Sequence, residues 1–481
     1  MKIFLGNSPW QKDSLRGIRG GSRWPHLVPV ESSYVPFPFF LAYATALLRQ
    51  NGYEVMIVDA LAENIGTDEY FKRMKAFSPD IVIHEVATAS IKTDLENGRL
   101  VKETMPGSTL IFCGAHYGLF GDLFLKEQSF VDIVVRGEYE FSLLGIAVAL
   151  KKGEPLSTVD GINFRDGEKI IKNRDRDLID VNELPLPARD LLPMDIYWDN
   201  PGGMPGPSLQ IHASRGCPYT CVFCAWPQIM YGGNKYRARS PQDVVDEIVE
   251  CVGLYGFKSF YIDDDTFNVG KSRVLEFCDL LIKSGVNIPW SVMARADTTD
   301  FETLAKMKEA GLCAIKYGIE SGDQDVLNNS GKKLDLEVAK RTVAETKRLG
   351  LKCHLTFLFG LPGENDETVR KTMELAFELG SDTAQFSIVT PFPGSSLYTD
   401  LKEKGYLVSE NFDEYDGNNR SVIRTEALTA SDLENILRSS TSRWLRKTLF
   451  KRVWGSKAYF IGEFIKHPIG TIKMAKKTLF P

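Results

Sequence analysis

The sequence predicts an α/β protein made of two consecutive strand–helix modules, a doubly wound Rossmann-like domain and then a partial (β/α)6 barrel of the TIM type, ahead of a mainly helical C-terminal region. Three observations predict it. Short Val- and Ile-rich runs alternate with helical patterns up to residue 165, the same alternation restarts near residue 209, and a proline- and glycine-rich stretch separates the two. The resulting division is 1–165, a connection at 166–207, a barrel at 208–405 and a C-terminal region at 406–481. A chain of 481 residues exceeds one ordinary domain, so two or three units with cores of their own are expected.

In the first module the apolar runs fall at 2–5, 55–59, 80–84, 109–113 and 132–135. They are short and bounded by polar residues or glycine, as buried parallel strands are. In the stretch 39–50, Leu41, Ala44, Leu47 and Leu48 mark one helical face, and Gly52 follows where a helix ends. Doubly wound sheets bind ligands at the carboxyl ends of their strands. The second module offers strands at 209–213, 259–262, 290–293, 314–318, 354–359 and 384–389. One intervening helix opens on Pro241, and another opens on the acids Asp366 and Glu367. A parallel barrel carries its chemistry at the strand C-termini.

Composition narrows the classes. Apolar content of 43% and charged content of 25% exclude a disordered or fibrous chain. The opening Met1-Lys-Ile-Phe-Leu-Gly is too short an apolar run for a signal peptide, and no stretch reaches the roughly 18 apolar residues that span a bilayer. Eight cysteines without an export signal point to the cytoplasm, where cysteines serve metals or catalysis more often than disulfides. The net charge of −5 is uneven. From Thr441 to Pro481 ten Lys and Arg stand against one acid, Glu463, which leaves −14 on the remainder. Aromatics interleave with these cations from Trp444 to Trp454, so the tail reads as a peripheral membrane contact or as a helix packed on the barrel; nucleic acid is the weaker partner, since no recognised binding fold accompanies it.

The segment Arg215-Gly-Cys-Pro-Tyr-Thr-Cys-Val-Phe-Cys-Ala-Trp sets Cys217, Cys221 and Cys224 directly after the first barrel strand. One loop of this spacing wraps three corners of an iron–sulfur cube, whose iron takes thiolate ligands, and leaves one iron open. The bland alternative is structural zinc, but zinc wants four ligands and no second Cys-x-x-Cys is present. Cys251, Cys278, Cys313 and Cys353 are isolated and read as core thiols.

Here the chain resembles the radical S-adenosylmethionine superfamily, whose signature is C-x3-C-x2-C after the first strand of a partial barrel. The likeness covers about 208–405 and includes Tyr261-Ile-Asp-Asp-Asp-Thr-Phe, Ala294-Arg-Ala-Asp, Gly318-Ile-Glu-Ser-Gly, Phe359-Gly-Leu-Pro-Gly-Glu and Thr390-Pro-Phe-Pro-Gly-Ser at successive strand ends. The resemblance implies a [4Fe-4S] cluster on the three cysteines and a reductive cleavage of S-adenosylmethionine to a 5′-deoxyadenosyl radical. It makes Tyr219, Phe223, Trp226, Asp264, Asp265, Arg295, Glu320 and Gly360 candidates for cofactor contact, with ordinary packing or structural salt bridges as the alternative for each.

The first module is similar to the cobalamin-binding domain of one subgroup, on Pro36 and Pro38 before a helix, Gly52-Tyr-Glu-Val-Met-Ile-Val-Asp, Cys113-Gly-Ala-His-Tyr and Val135-Arg-Gly-Glu-Tyr-Glu. This likeness makes Arg23, Trp24, Thr88, Gly114, His116, Arg136, Gly137 and Glu138 candidates for cobalamin contact. The Asp-x-His-x-x-Gly motif that supplies a cobalt ligand in other cobalamin proteins is absent, so no histidine ligand is expected. A Gly-x-Gly-x-x-Gly opening is also absent, which removes a nicotinamide reading. The loop from Gly17 to His26 is similar to members associated with hopanoid lipids.

The implied activity is a cobalamin-dependent radical methyltransferase, transferring methyl from methylcobalamin to an unactivated carbon of a small-molecule, lipid or peptide substrate. An external electron donor such as ferredoxin or flavodoxin would supply the reducing electron. Oxidative cyclisation, ring contraction or lipid tailoring on the same architecture stands as the rival, and a cobalamin- or redox-sensing binding protein as the non-enzymatic one. Methylthiolation lacks its second cysteine triad.

Overall fold

The computed structural model describes residues 1–19, 24–116, 121–199 and 202–455. The first sheet contains β1 (Lys2–Asn7), β2 (Glu54–Asp59), β3 (Ile81–Glu85), β4 (Thr109–Cys113), β5 (Ile133–Val135), β6 (Ile162–Asp166) and β7 (Lys169–Lys172), in spatial order β7-β6-β5-β4-β3-β1-β2. The first five are parallel; β6 and β7 form an antiparallel hairpin on the far edge. The sheet therefore runs to Lys172, past the expected boundary at 165. The hairpin escaped notice because Arg165, Asp166, Glu168, Lys169 and Lys172 give it the look of a solvated loop.

Both faces of this sheet are covered, as the Val- and Ile-rich strands require. Helices α1 (Phe39–Gln50) and α4 (Glu140–Lys152) pack on one face, while α2 (Thr67–Phe77) and α3 (Ile91–Thr104) cover the other. Asn51 ends α1 and Gly52 follows with φ 77°, the left-handed position that glycine takes without strain. The strand order reverses direction between β1 and β3, and at such a point the strand ends leave a crevice for a ligand.

The second sheet is wholly parallel: β8 (Ser208–Ile211), β9 (Ser259–Ile262), β10 (Trp290–Ala294), β11 (Leu312–Glu320), β12 (Lys352–Phe359) and β13 (Thr383–Ile388), in chain order. Helices Pro241–Tyr255, Lys271–Ser284, Phe301–Glu309, Leu336–Arg348 and Asp366–Leu379 return the chain between strands. The result is a six-stranded partial barrel. After it, residues 406–429 are largely irregular, and the chain then forms one long helix, α5 (Ala430–Gly455), which packs beside β13. Trp444 is buried there, stacked on Phe377 with ring centroids 5.9 Å apart and edge-on to Phe386. That burial removes Trp444 from the expected membrane-facing set; the tail beyond residue 455 lies outside the described residues.

The two modules do not bury separate cores. One continuous apolar cluster runs from α1 and α4 through Tyr197 into the barrel, and a second occupies the α2/α3 face. Phe39 stacks on His212 of the barrel at 3.6 Å, and Phe40 meets Trp226 edge-on at 5.7 Å. The aromatic start of α1 makes this weld, because large rings bury more area across a seam than aliphatic side chains do.

Candidate active site

The cysteine loop leaves β8 through Ser214 and Arg215 and turns at Gly216, whose φ of 84° and contact with the Lys235 carbonyl leave no room for a Cβ. Val222 N donates to Ser330 O at 2.9 Å, and the Gln228 amide donates to the carbonyls of Cys224 (2.7 Å), Val222 and Cys221. Backbone and amide hydrogen bonds thus hold the loop shape. Cys217, Cys221 and Cys224 together line one wall of a cavity of about 280 Å³ at the barrel's C-terminal end.

Of the expected contact residues, Tyr219, Phe223, Trp226, Asp265, Arg295 and Glu320 line the same cavity. Asp265 accepts from Gly216 N at 3.0 Å, which ties the second strand end to the cysteine loop. Arg295 is held by both oxygens of Asp297 and by the Lys332 carbonyl, with its guanidinium over the Tyr219 ring at 3.9 Å. Glu320 takes a positive φ of 72° and pairs with Lys332 Nζ at 3.1 Å. Burial pushes the Cys217 thiol up to about 11 and the Cys221 thiol above its ordinary value, while Lys332 and Arg295 pull Cys221 back.

Two expected contacts are elsewhere. Asp264 is fully buried, accepting from Ala213 N, Ser214 N and the Ser214 hydroxyl; it braces the exit of β8, and burial pushes it up to about 6. Gly360, at φ 88°, faces Ile423 and Leu433 of the C-terminal region. In a run of three aspartates alternate side chains point to opposite sides, so the sequence could not say which of Asp264 and Asp265 enters the cavity.

The first module contributes a smaller cavity of about 30 Å³ at its switch point, lined by Arg19, Glu85, Val86, Ala87, Thr88 and Ala115 together with Ala225, Trp226, Ile229 and Phe392 from the barrel side. Gly114 turns at φ 109° so close to the Val86 carbonyl that no Cβ fits, and His116 Nδ1 lies 3.1 Å from Thr88 Oγ1. Burial pushes His116 down to about 4, so its ring is neutral. Glu85 accepts from Tyr139 OH at 2.8 Å, and burial raises it to about 7. Trp24 lines the larger cavity, edge-on to Phe392. Arg23 lies outside the described residues.

The Val135-Arg-Gly-Glu-Tyr-Glu segment does a different job from the one expected. Arg136 is consumed by the β6–β7 hairpin and its sequel, donating to Asp175, to Asn163 and to the Asn173 carbonyl. Gly137 approaches the Met230 carbonyl. Glu138 bridges Arg215 at 3.1 Å and Arg237 at 2.7 Å, and Glu140 bridges Arg215 at 2.6 Å. These are interdomain ion pairs two residues from Cys217. Their charge complementarity spans two modules, so no local pattern could reveal it.

The residues that sequence reasoning missed are Lys316, Lys332, Thr356, Gln385 and Ser387, all lining the larger cavity. Lys332 carries no motif, because it follows Gly331 in a loop. The other four sit on barrel strands where only the inward or outward sense of the alternation distinguishes them.

A partial parallel barrel with a three-thiol loop at its open end, joined to a doubly wound domain across adjoining cavities, defines a two-module cofactor enzyme of the α/β class. The radical SAM superfamily model matches residues 211–376, and the B12 binding domain model matches residues 26–146. An uncharacterized methyltransferase of Pyrococcus horikoshii is 30% identical over 434 residues, covering 89% of this chain and 92% of that protein. An anaerobic magnesium-protoporphyrin IX monomethyl ester cyclase of Cereibacter sphaeroides is 27% identical, covering 90% and 72%. Among solved structures, the cobalamin-dependent S-adenosylmethionine radical enzyme OxsB superposes with a TM-score of 0.71 at 16% identity, over 93% of this chain and 67% of that one. The chain belongs to the radical SAM superfamily and carries a B12-binding domain; it is an enzyme whose cofactors are a [4Fe-4S] cluster, S-adenosylmethionine and cobalamin.

The residues present fit these groups. Three thiols from one short loop that line one cavity suit a multi-iron cube, whose irons take thiolate ligands. Beside them, Arg295, Lys332, Glu320 and Asp265 offer both charge signs to an amino-acid moiety. The switch-point floor of Val86, Ala87 and Ala115 is low and apolar, as the face of a flat macrocycle requires.

Proposed function

We propose that the protein is a cobalamin-dependent radical C-methyltransferase acting on an unactivated carbon. Ala225, Trp226 and Phe392 line both cavities, and this shared wall carries the reading, since it sets the B12-side floor directly against the cysteine cavity. When bound, the cluster with S-adenosylmethionine supplies the one-electron chemistry that opens a C–H bond, and cobalamin supplies the methyl group.

The chain's own residues do the positioning. Cys217, Cys221 and Cys224 would hold the cluster, Asp265, Arg295 and Glu320 would receive the polar ends of S-adenosylmethionine, and Tyr219 and Phe223 would flank its aromatic part. The Glu320–Lys332 and Arg295–Asp297 pairs keep these groups in place before any ligand arrives. Trp24, Trp226 and Phe392 exclude water from the seam. Thr88, Gly114 and His116 shape the B12-side edge, with His116 neutral. A small-molecule, lipid or peptide substrate would enter the barrel cavity, and ferredoxin or flavodoxin would reduce the cluster. No described helix is long and apolar enough to cross a membrane.

The test is anaerobic reconstitution with cobalamin and methyl-labelled S-adenosylmethionine against candidate substrates, followed by product mass. Label in the product together with 5′-deoxyadenosine supports methyl transfer. The cyclase relative favours a second reading, under which 5′-deoxyadenosine forms and the product carries no label.

A further inference from the structure

The cavity that the cysteines line also carries a cation on the fourth barrel strand, Lys316. Lys316, Gly318 and Glu320 alternate along β11 and all line the cavity, so this face of the strand is the barrel interior. In register, Lys316 stands beside Met293 of β10 and His354 of β12, and the next row adds Thr356 and Gln385. Gln385 donates to Ser387 at 3.3 Å, Ser387 to Asn418 Oδ1 at 3.3 Å and Thr356 to Glu320 Oε2 at 3.4 Å, so amide and hydroxyl groups gather on β12 and β13.

The cavity's other cations are already matched. Arg295 is paired with Asp297, and Lys332 with Glu320. Lys316 has no hydrogen-bond or ion-pair partner among the described residues, although it is partly buried. Its charge is felt by its neighbours: after burial, Lys316 is the further cause that pushes His354 down to about 3, and it also lowers His26, which Asp416 raises. Both histidines are therefore neutral and add no positive charge. An ammonium held half out of water, with no carboxylate within ion-pair distance among the described residues, is completed by a ligand anion.

We infer that Lys316, with Gln385, Thr356 and Ser387, forms an anion subsite on β11 to β13, and that the substrate carries a carboxylate or phosphate group there. The inference rests on the proposed use of the barrel cavity for substrate. It orients the molecule: the anionic end is fixed on β11 to β13, and the carbon to be modified lies toward the Cys224–Trp226 wall. The apolar side chains that line the same cavity, Met293, Leu358 and Phe392, suit a hydrocarbon or ring portion.

Full-length enzyme carrying its cluster and S-adenosylmethionine is titrated by calorimetry with butyl phosphate, butyrate and butanol. Binding of one or both anions but not of butanol is expected, and which anion binds separates the phosphate from the carboxylate source. Lys316→Met should weaken that binding about tenfold or more, the loss of one charge-assisted hydrogen bond, and Lys316→Arg should keep it. Iron content and S-adenosylmethionine affinity of Lys316→Met should equal those of the unaltered protein. Equal binding of butanol, failure of both anions, unchanged anion affinity in Lys316→Met, or a fall in its S-adenosylmethionine affinity each overturns the inference. A wild-type protein without iron would instead sink the proposed function itself.

Discussion

Replacing Arg215 by methionine tests how the cysteine loop is held to both modules. The guanidinium is 3% exposed and bridges Glu140 at 2.6 Å and Glu138 at 3.1 Å, with the rings of Phe40 and Tyr43 at 4.2 and 5.2 Å. In Arg215→Met, Glu138 keeps Arg237, but Glu140 loses its ionic partner, and its Oε2 is already without a hydrogen bond. A buried charge left in this way costs about 3–5 kcal/mol, and the lost cation–π contacts add about 1 kcal/mol. Urea unfolding should therefore show a loss of about 4–6 kcal/mol, with reduced iron content because the loop begins two residues on. Arg215→Met/Glu140→Met removes both charges and should recover about 2 kcal/mol or more of that loss. A loss below about 1 kcal/mol for Arg215→Met, or a double variant as unstable as the sum of the two single variants, would refute the clamp.

Other outcomes follow from the same geometry. Gly216→Ala should abolish iron binding while the fold survives, since its Cβ meets the Lys235 carbonyl and only the loop can yield; retained iron on metal analysis would contradict this. The folded-state value of Glu85, about 7, lies above its ordinary one, so the folded form holds its proton between about pH 4.5 and 7 and stability falls across that window as pH rises. Glu85→Gln should thus stabilise by up to about 3 kcal/mol above pH 7 and little below pH 4.5; thermal melts at pH 5 and pH 8 that shift equally would oppose it. Trp444→Ala should cost about 3 kcal/mol through lost stacking on Phe377, read as a lowered unfolding midpoint; no shift would mean the helix is not docked.

The fold was legible because strand and helix periods are local properties. All five parallel strands of the first sheet and all six of the barrel coincide with apolar runs in the sequence, and helix Asp366–Leu379 coincides with its acid-led pattern. The β6–β7 hairpin was not, since exposed antiparallel edges lack that apolar signature. In the site, the cysteine spacing marked its loop because all three thiols fall within one short segment, where spacing is readable. Arg136, Glu138, Asp264 and Gly360 are engaged by neighbouring segments for a common reason: each stands at a strand end, where a charge or a glycine can serve a ligand or a neighbouring segment, and only the tertiary partner decides. Lys316 and Lys332 were silent because a lysine on a strand or in a loop reads as surface until the barrel closes around it.

The most direct measurement is iron and sulfide analysis of anaerobically purified protein, with electron paramagnetic resonance of the reduced form before and after S-adenosylmethionine. Equal iron and sulfide, lost in Cys221→Ala, and a spectrum that changes when S-adenosylmethionine is added are expected of a three-thiolate cluster with one open iron. Zinc without sulfide, or a cluster spectrum indifferent to S-adenosylmethionine, would contradict it.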